Sequence, residues 1–96
     1  MPGVLSFFDP EPPNPVCTRN VPFDVVVQAD GGPEGARVIV TLSIDGVALP
    51  TQIAIILNGI GHAFFEDVTL TRTPSSTLTA TAPGFTQASM GCVVNP

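Results

Sequence analysis

His62 is the single histidine of the chain, and it follows Gly61 at the start of a strand-like run. Histidine is the commonest general base, but acyl-transfer chemistry also needs a nucleophile beside it. Ser43, Ser75, Ser76 and Ser89 lack the glycine context of a nucleophile elbow. His62 therefore reads as a surface or turn residue. Glu66 and Asp67 are adjacent carboxylates. Neighbouring strand residues point to opposite faces, and glycosidase-type chemistry needs two carboxylates facing each other across a cleft. Asp30 and Glu34 flank a glycine cluster, a conceivable calcium loop. Calcium takes six to eight oxygens, so two carboxylates on such a loop read as a solvated turn, with weak calcium binding left open. Cys17 and Cys92 are 75 residues apart, too far for a CxxC or zinc motif. Two readings stay open for them. A long-range disulfide suits a small turn-rich module and is worth about 4 kcal/mol by chain entropy. Two buried free thiols are the other. No catalytic set, metal set or cofactor is expected, and with no helix predicted there is no phosphate loop opening one.

The composition narrows the setting of these residues. Ninety-six residues suit one core. The chain has no lysine and three arginines (Arg19, Arg37, Arg72) against eight acids, for a net charge of −5. Nucleic-acid binding and polybasic membrane contact both need a basic footprint that is missing. No apolar run approaches the roughly 18 residues of a membrane span. The start lacks the basic and apolar regions of a signal peptide. The Pro-rich beginning and the Asn95-Pro96 end favour a domain cut from a longer chain over a true start at Met1.

Alternation supplies the elements. In Ala36–Asp45, Val38, Val40, Leu42 and Ile44 fall on one face and Ile39, Thr41, Ser43 and Asp45 on the other. This run predicts a central strand. Before it, Val4–Phe8 predicts a first strand with Leu5 and Phe7 on one face. Asp9–Pro15 predicts an extended proline strap, in which Pro10 and Pro13 also fit PxxP. Val16–Thr18 resumes an edge strand. Pro22–Ala29 sets Phe23, Val25 and Val27 toward the core. After the central strand come an Asp45-Gly46 hairpin signal and the run Gln52–Leu57. There Ile53, Ile55 and Leu57 share a face opposite Ile56, and an open edge would make this uncharged run an aggregation hazard. Asn58-Gly59 turns into His62–Thr71. Straight alternation would bury Glu66 there. A bulge at Glu66-Asp67 instead sends Phe65, Val68 and Leu70 inward and both acids outward. Leu78, Ala80 and Ala82, then Ala88, Met90, Cys92 and Val94, complete the predicted core. Eleven prolines and nine glycines punctuate these runs. The pattern predicts an all-β fold, an antiparallel β-sandwich of seven to eight strands. Residues 1–15 form its first strand and strap, and residues 16–96 the sandwich, one domain in all.

The segments Gly61–Leu70 and Ser76–Phe85, with Pro22–Asp30 and Val40–Ser43, resemble bacterial immunoglobulin-like domains of the invasin and intimin type. That family's pattern has a glycine, an aromatic residue, V/L-T-L and a strand ending T-A-x-x-G-(Y/F). The likeness covers about Val16 to Val94. It departs from the family near Ser76, where a tyrosine often stands, and no tryptophan packs against the cysteines. The resemblance implies an immunoglobulin-like sandwich at the cell surface or outside the cell, serving as a non-catalytic spacer or adhesion module of a larger protein. Its implied partners are neighbouring domains, or another protein through an edge strand, with no nucleic acid and no membrane span. It also implies that the strand before Phe23 runs parallel to the last strand, bringing Cys17 and Cys92 onto neighbours. The alternative is a carbohydrate-binding accessory module. That role needs two phenylalanines exposed on one face, and the candidates are Phe7, Phe8, Phe64 and Phe85.

Overall fold

The structure, a computed structural model, describes residues 3–9 and 15–96. Ten strands, and no helix, are found among the described residues: β1 (Gly3–Asp9), β2 (Val16–Thr18), β3 (Phe23–Asp30), β4 (Arg37–Ile44), β5 (Val47–Ala48), β6 (Gln52–Ile55), β7 (Ile60–Val68), β8 (Ser75–Thr81), β9 (Phe85–Thr86) and β10 (Ala88–Asn95). Two sheets pack face to face. One has the order β7-β3-β1-β9. The other has β2-β10-β8-β4-β5, with β6 also paired to β4. This is the all-β sandwich expected. The two-residue pieces β5 and β9 raise the strand number above seven or eight. The strap between Pro10 and Asn14, with its PxxP pair Pro10 and Pro13, lies outside the described residues.

Alternation places the core. Val38, Val40 and Leu42 of β4 are buried and face Val25, Val27 and Ala29 of β3 across the sandwich, with Leu78 and Ala80 of β8 and Met90, Cys92 and Val94 of β10 in the same cluster. The expected central strand lies near one side of its sheet. It pairs with β8 on one flank and shares the other between β6 and β5. Two hairpins turn on Asp45-Gly46 (φ 50° and 87°) and Asn58-Gly59 (55° and 86°). Left-handed φ at both central residues is the type I′ geometry that follows strand twist, and Asn, Asp and Gly adopt it most readily. Gly61 has a different constraint. A Cβ there would stand 2.7 Å from the Ile55 carbonyl oxygen, so the end of β6 can press against β7 only over a glycine.

The bulge in β7 is present. Val25 pairs with Phe65 and Phe23 with Val68, so β7 spends three steps where β3 spends two. Asp67 takes φ 55° as the extra residue. Phe65, Val68 and Leu70 are buried while Glu66 and Asp67 are exposed. A second bulge, absent from the sequence reading, lies in β1. Phe7 pairs with Val27 and Asp9 with Val26, so two steps on β1 meet one on β3. Phe8 and Asp9 consequently both lie on the solvent side.

The run Gln52–Leu57, whose two faces the sequence separated, is assigned its inward face by the structure. Ala54 and Ile56 are buried, and Ile53, Ile55 and Leu57 are exposed. Register is the cause. Ala54 pairs with inward Val38 and Ile53 with outward Ile39. Residues opposite one another in a ladder share a face, so the strongly patterned strand dictates the weakly patterned one.

Candidate functional site

The outer face of the β7-β3-β1-β9 sheet carries the most chemically varied surface. Alternation along β7 sends Ile60, His62, Phe64 and Glu66 outward. Val26 of β3 pairs with Phe64 and sits below these side chains, itself 8% exposed. The β1 bulge brings Phe8 alongside. The Phe8 and His62 rings meet edge to face at 5.1 Å between centroids, and His62 lies 6.5 Å from the Phe64 ring. Phe8, Asp9, Val26, His62 and Phe64 line one shallow cleft of about 350 Å³. Phe8 is 57% and Phe64 60% exposed, so two phenylalanines stand on one face. Phe7 is buried and Phe85 half-buried.

His62 is thus a residue of the sheet's outer face and not of a turn. It is a half-buried strand residue, and its Nε2 is shut off from solvent without a hydrogen-bond partner. A ring nitrogen in that state costs free energy, since a buried polar atom without a partner forfeits its hydration. What it gains is contact with two aromatic rings. None of the serines weighed as nucleophiles joins it. Ser43, Ser75, Ser76 and Ser89 lie on β4, β8 and β10 of the other sheet. The Ser76 hydroxyl donates to the Arg72 carbonyl at 3.3 Å, and Ser89 contacts Thr79 Oγ1 at 3.5 Å.

The remaining candidates are dispersed. Glu34 Oε1 accepts the Asn58 N–H at 2.8 Å and ties two turns together. Asp30 stands in β3 between Val4 and Ile60. No group of three or more metal-ligating side chains is found among the described residues. Asp67 donates its N–H to Asp24 Oδ1 at 3.4 Å. With Glu66 it lines a second cleft of about 290 Å³ between Leu49 and Val68. Asp45 Oδ1 accepts the Thr77 N–H at 2.9 Å and lies 3.7 Å from Arg72 Nη1.

Cys17 and Cys92 come together as the topology implied. β2 runs parallel to β10 along the sheet edge. Cys17 pairs with Val94, which makes Cys92, two residues earlier, its diagonal neighbour. Both are free thiols in this structure, Cys92 buried and Cys17 partly so. Burial pushes the Cys92 thiol up to about 12, with Cys17 and then Asp45 adding to the shift. Burial also raises Cys17, and contact with Cys92 lowers it in part.

No protein-family model matches the chain, and no curated protein matches it. A solved structure does share its fold. A crystal structure of an engineered protein superposes with TM-score 0.60 at 20% identity, covering 98% of this chain and 20% of the other. A crystal structure of the Arg-specific cysteine proteinase gingipain R gives TM-score 0.47 at 20% identity, covering 98% and 19%. The chain spans about a fifth of the length of each. The likeness to the engineered protein concerns the β-rich fold alone.

Proposed function

We propose that this chain is a non-catalytic immunoglobulin-like module of a larger surface or secreted protein, acting as a spacer and as a contact domain. The observation that carries this reading is the way the chain passes through the sandwich. β1 runs parallel to β9, with Gly3 beside Phe85, and the chain then continues along β10 to Asn95. Asn95 pairs with Thr18 at the far end of the sheet. Gly3 and Asn95 therefore leave from opposite ends of a body measuring 42 × 20 × 20 Å. Modules joined in that way extend a chain by nearly their full length. The surface supports the contact role. Ile53, Ile55, Leu57, Ile60 and Phe64 line one broad apolar depression, and large exposed apolar patches mark interaction surfaces.

The test is a direct tandem fusion of two copies studied by small-angle X-ray scattering. An extended particle, close to twice as long as one copy and equally stable, is the expected result. A folded-back particle no longer than one module overturns the spacer reading.

A second reading is favoured by Phe8 and Phe64. Two exposed rings on one sheet face are the feature a carbohydrate-binding accessory module needs, and Asp9 and Gln28 on neighbouring strands supply polar groups. Retarded migration through gels containing β-glucan or xylan, lost in Phe64→Ala, would establish it. Unchanged migration in every polysaccharide would remove it.

A further inference from the structure

The β1 bulge has a chemical consequence. In a regular strand Phe8 and Asp9 would point to opposite faces. The extra residue turns both to solvent, which places a carboxylate at the rim of an aromatic cleft. Bulges are over-represented beside functional sites because they re-aim side chains in this way. The walls are the Phe8 and Phe64 rings with His62 clamped between them, and the floor is Val26.

We propose that this cleft binds a basic side chain, an arginine of a partner polypeptide. The proposal rests on the reading of the chain as a contact module and names the partner of that face. Three observations fit a guanidinium. Its planar, weakly hydrated cation stacks on aromatic faces, and Phe8 and Phe64 are the most exposed aromatic rings here. Its paired N–H groups match a carboxylate, and Asp9 lines the cleft. Neighbouring strand positions add further carboxylates. Asp24 lies two residues before Val26 on β3, and Glu66 two residues after Phe64 on β7, both exposed. Among the described residues the single ion pair, Arg72 with Asp45, lies in the other sheet region, so Asp9, Asp24 and Glu66 are left without an ion-pair partner. The chain has no lysine at all, and its net charge of −5 draws cations toward such a face.

The experiment is a proton–nitrogen correlation NMR titration of the whole chain with the peptide acetyl-Gly-Arg-Gly-amide. Acetyl-Gly-citrulline-Gly-amide, of the same shape without the charge, is the control. The expected result is a set of shifts confined to β1, β3 and β7 around Phe8, His62 and Phe64. The arginine peptide should bind about tenfold more tightly than the citrulline peptide. Asp9→Asn should weaken it by about tenfold, and Phe64→Ala should abolish the shifts. Both positions are exposed, and the unperturbed remainder of each spectrum verifies the fold. Equal affinity for the two peptides overturns the proposal, as do shifts scattered over other strands or no shifts at all. Shifts at the same residues with cellohexaose but not with the arginine peptide overturn it in favour of the sugar reading. The tandem-fusion particle length does not depend on the cleft, so failure here and failure of the spacer reading are separate results.

Discussion

At the scale of single residues, two side chains make opposite statements about stability. His62 keeps a buried nitrogen without a partner. Replacing that ring by a purely apolar one of the same breadth removes the cost and keeps the aromatic contacts. His62→Phe is expected to stabilise the chain by about 1 kcal/mol. For a domain of this size that raises the thermal midpoint by roughly 4–8 °C, which calorimetry reads directly. Asp45 is the reverse case. Its backbone is left-handed, its carboxylate accepts the Thr77 N–H, and its own N–H donates to the Thr77 carbonyl at 2.9 Å. Asp45→Ala loses the side-chain bond and strains the backbone, for a cost of about 2 kcal/mol. Asp45→Gly relieves the strain and is expected to recover about half, a difference that urea unfolding of the pair measures.

At the scale of elements, the bulge in β7 and the edge strand β2 each have a clear test. The bulge exists because Asp67 adopts φ 55°, which a β-branched residue resists. Asp67→Val is expected to cost about 1–3 kcal/mol, and Asp67→Gly little or nothing. Equal stability of the two variants in denaturant melts would sink this account of the bulge.

The edge strand concerns the cysteines. Diagonal neighbours on parallel strands have Cα atoms on the order of 8 Å apart, beyond the roughly 4.4–6.8 Å of a relaxed disulfide. The bridge proposed from the sequence therefore requires β2, three residues at a sheet edge, to slide along β10. Under oxidising conditions mass spectrometry is expected to find the two hydrogens lost. The added stability should fall below the about 4 kcal/mol of chain entropy, because the slide strains the edge. In the reduced protein Cys92 also links stability to pH. Its folded pKa, about 12, lies above the ordinary thiol value, so the neutral form is favoured by folding. That contribution is complete below about pH 9 and is lost as pH rises toward 12. The thermal midpoint should fall across this window. Cys92→Val, or formation of the bridge, should flatten the fall.

At the scale of the whole molecule, the apolar depression along β6 and β7 leaves Ile53, Ile55, Leu57 and Phe64 open to contact with other molecules. Ile53 and Leu57 are more than half exposed, so Ile53→Thr with Leu57→Ser is expected to change stability by no more than about 0.5 kcal/mol per site. The same substitutions should lower light scattering in concentrated samples, because they break the uncharged apolar run that an open edge presents. Loss of folding in this variant would mean that the depression is part of the core.

Much of the sandwich was legible in the sequence, and the reason is local. Val38, Val40 and Leu42 alternate with polar or exposed positions, and a buried face leaves one register for such a strand. Glu66 announced its bulge, because an unpaired buried carboxylate is too costly to accept. The Asp-Gly and Asn-Gly pairs announced their turns through their tolerance of left-handed φ.

What the sequence left open is what depends on a second strand. Gln52–Leu57 is apolar on both faces, so its own pattern could not choose between Ile53 and Ala54, and pairing with β4 chose for it. The β1 bulge escapes a sequence reading that ends the first strand at Phe8 and leaves Asp9 to the proline strap, whereas β1 runs on to Asp9. Unbroken alternation would have turned Asp9 inward beside Phe7, and the register against Val26 and Val27 places Phe8 and Asp9 together on the solvent side instead. The candidate cleft follows from that register. Periodicity by itself determined which residues must avoid water, because each side chain's burial carries its own free energy. The tertiary structure decided which exposed residues meet, because meeting is a property of two strands and their alignment.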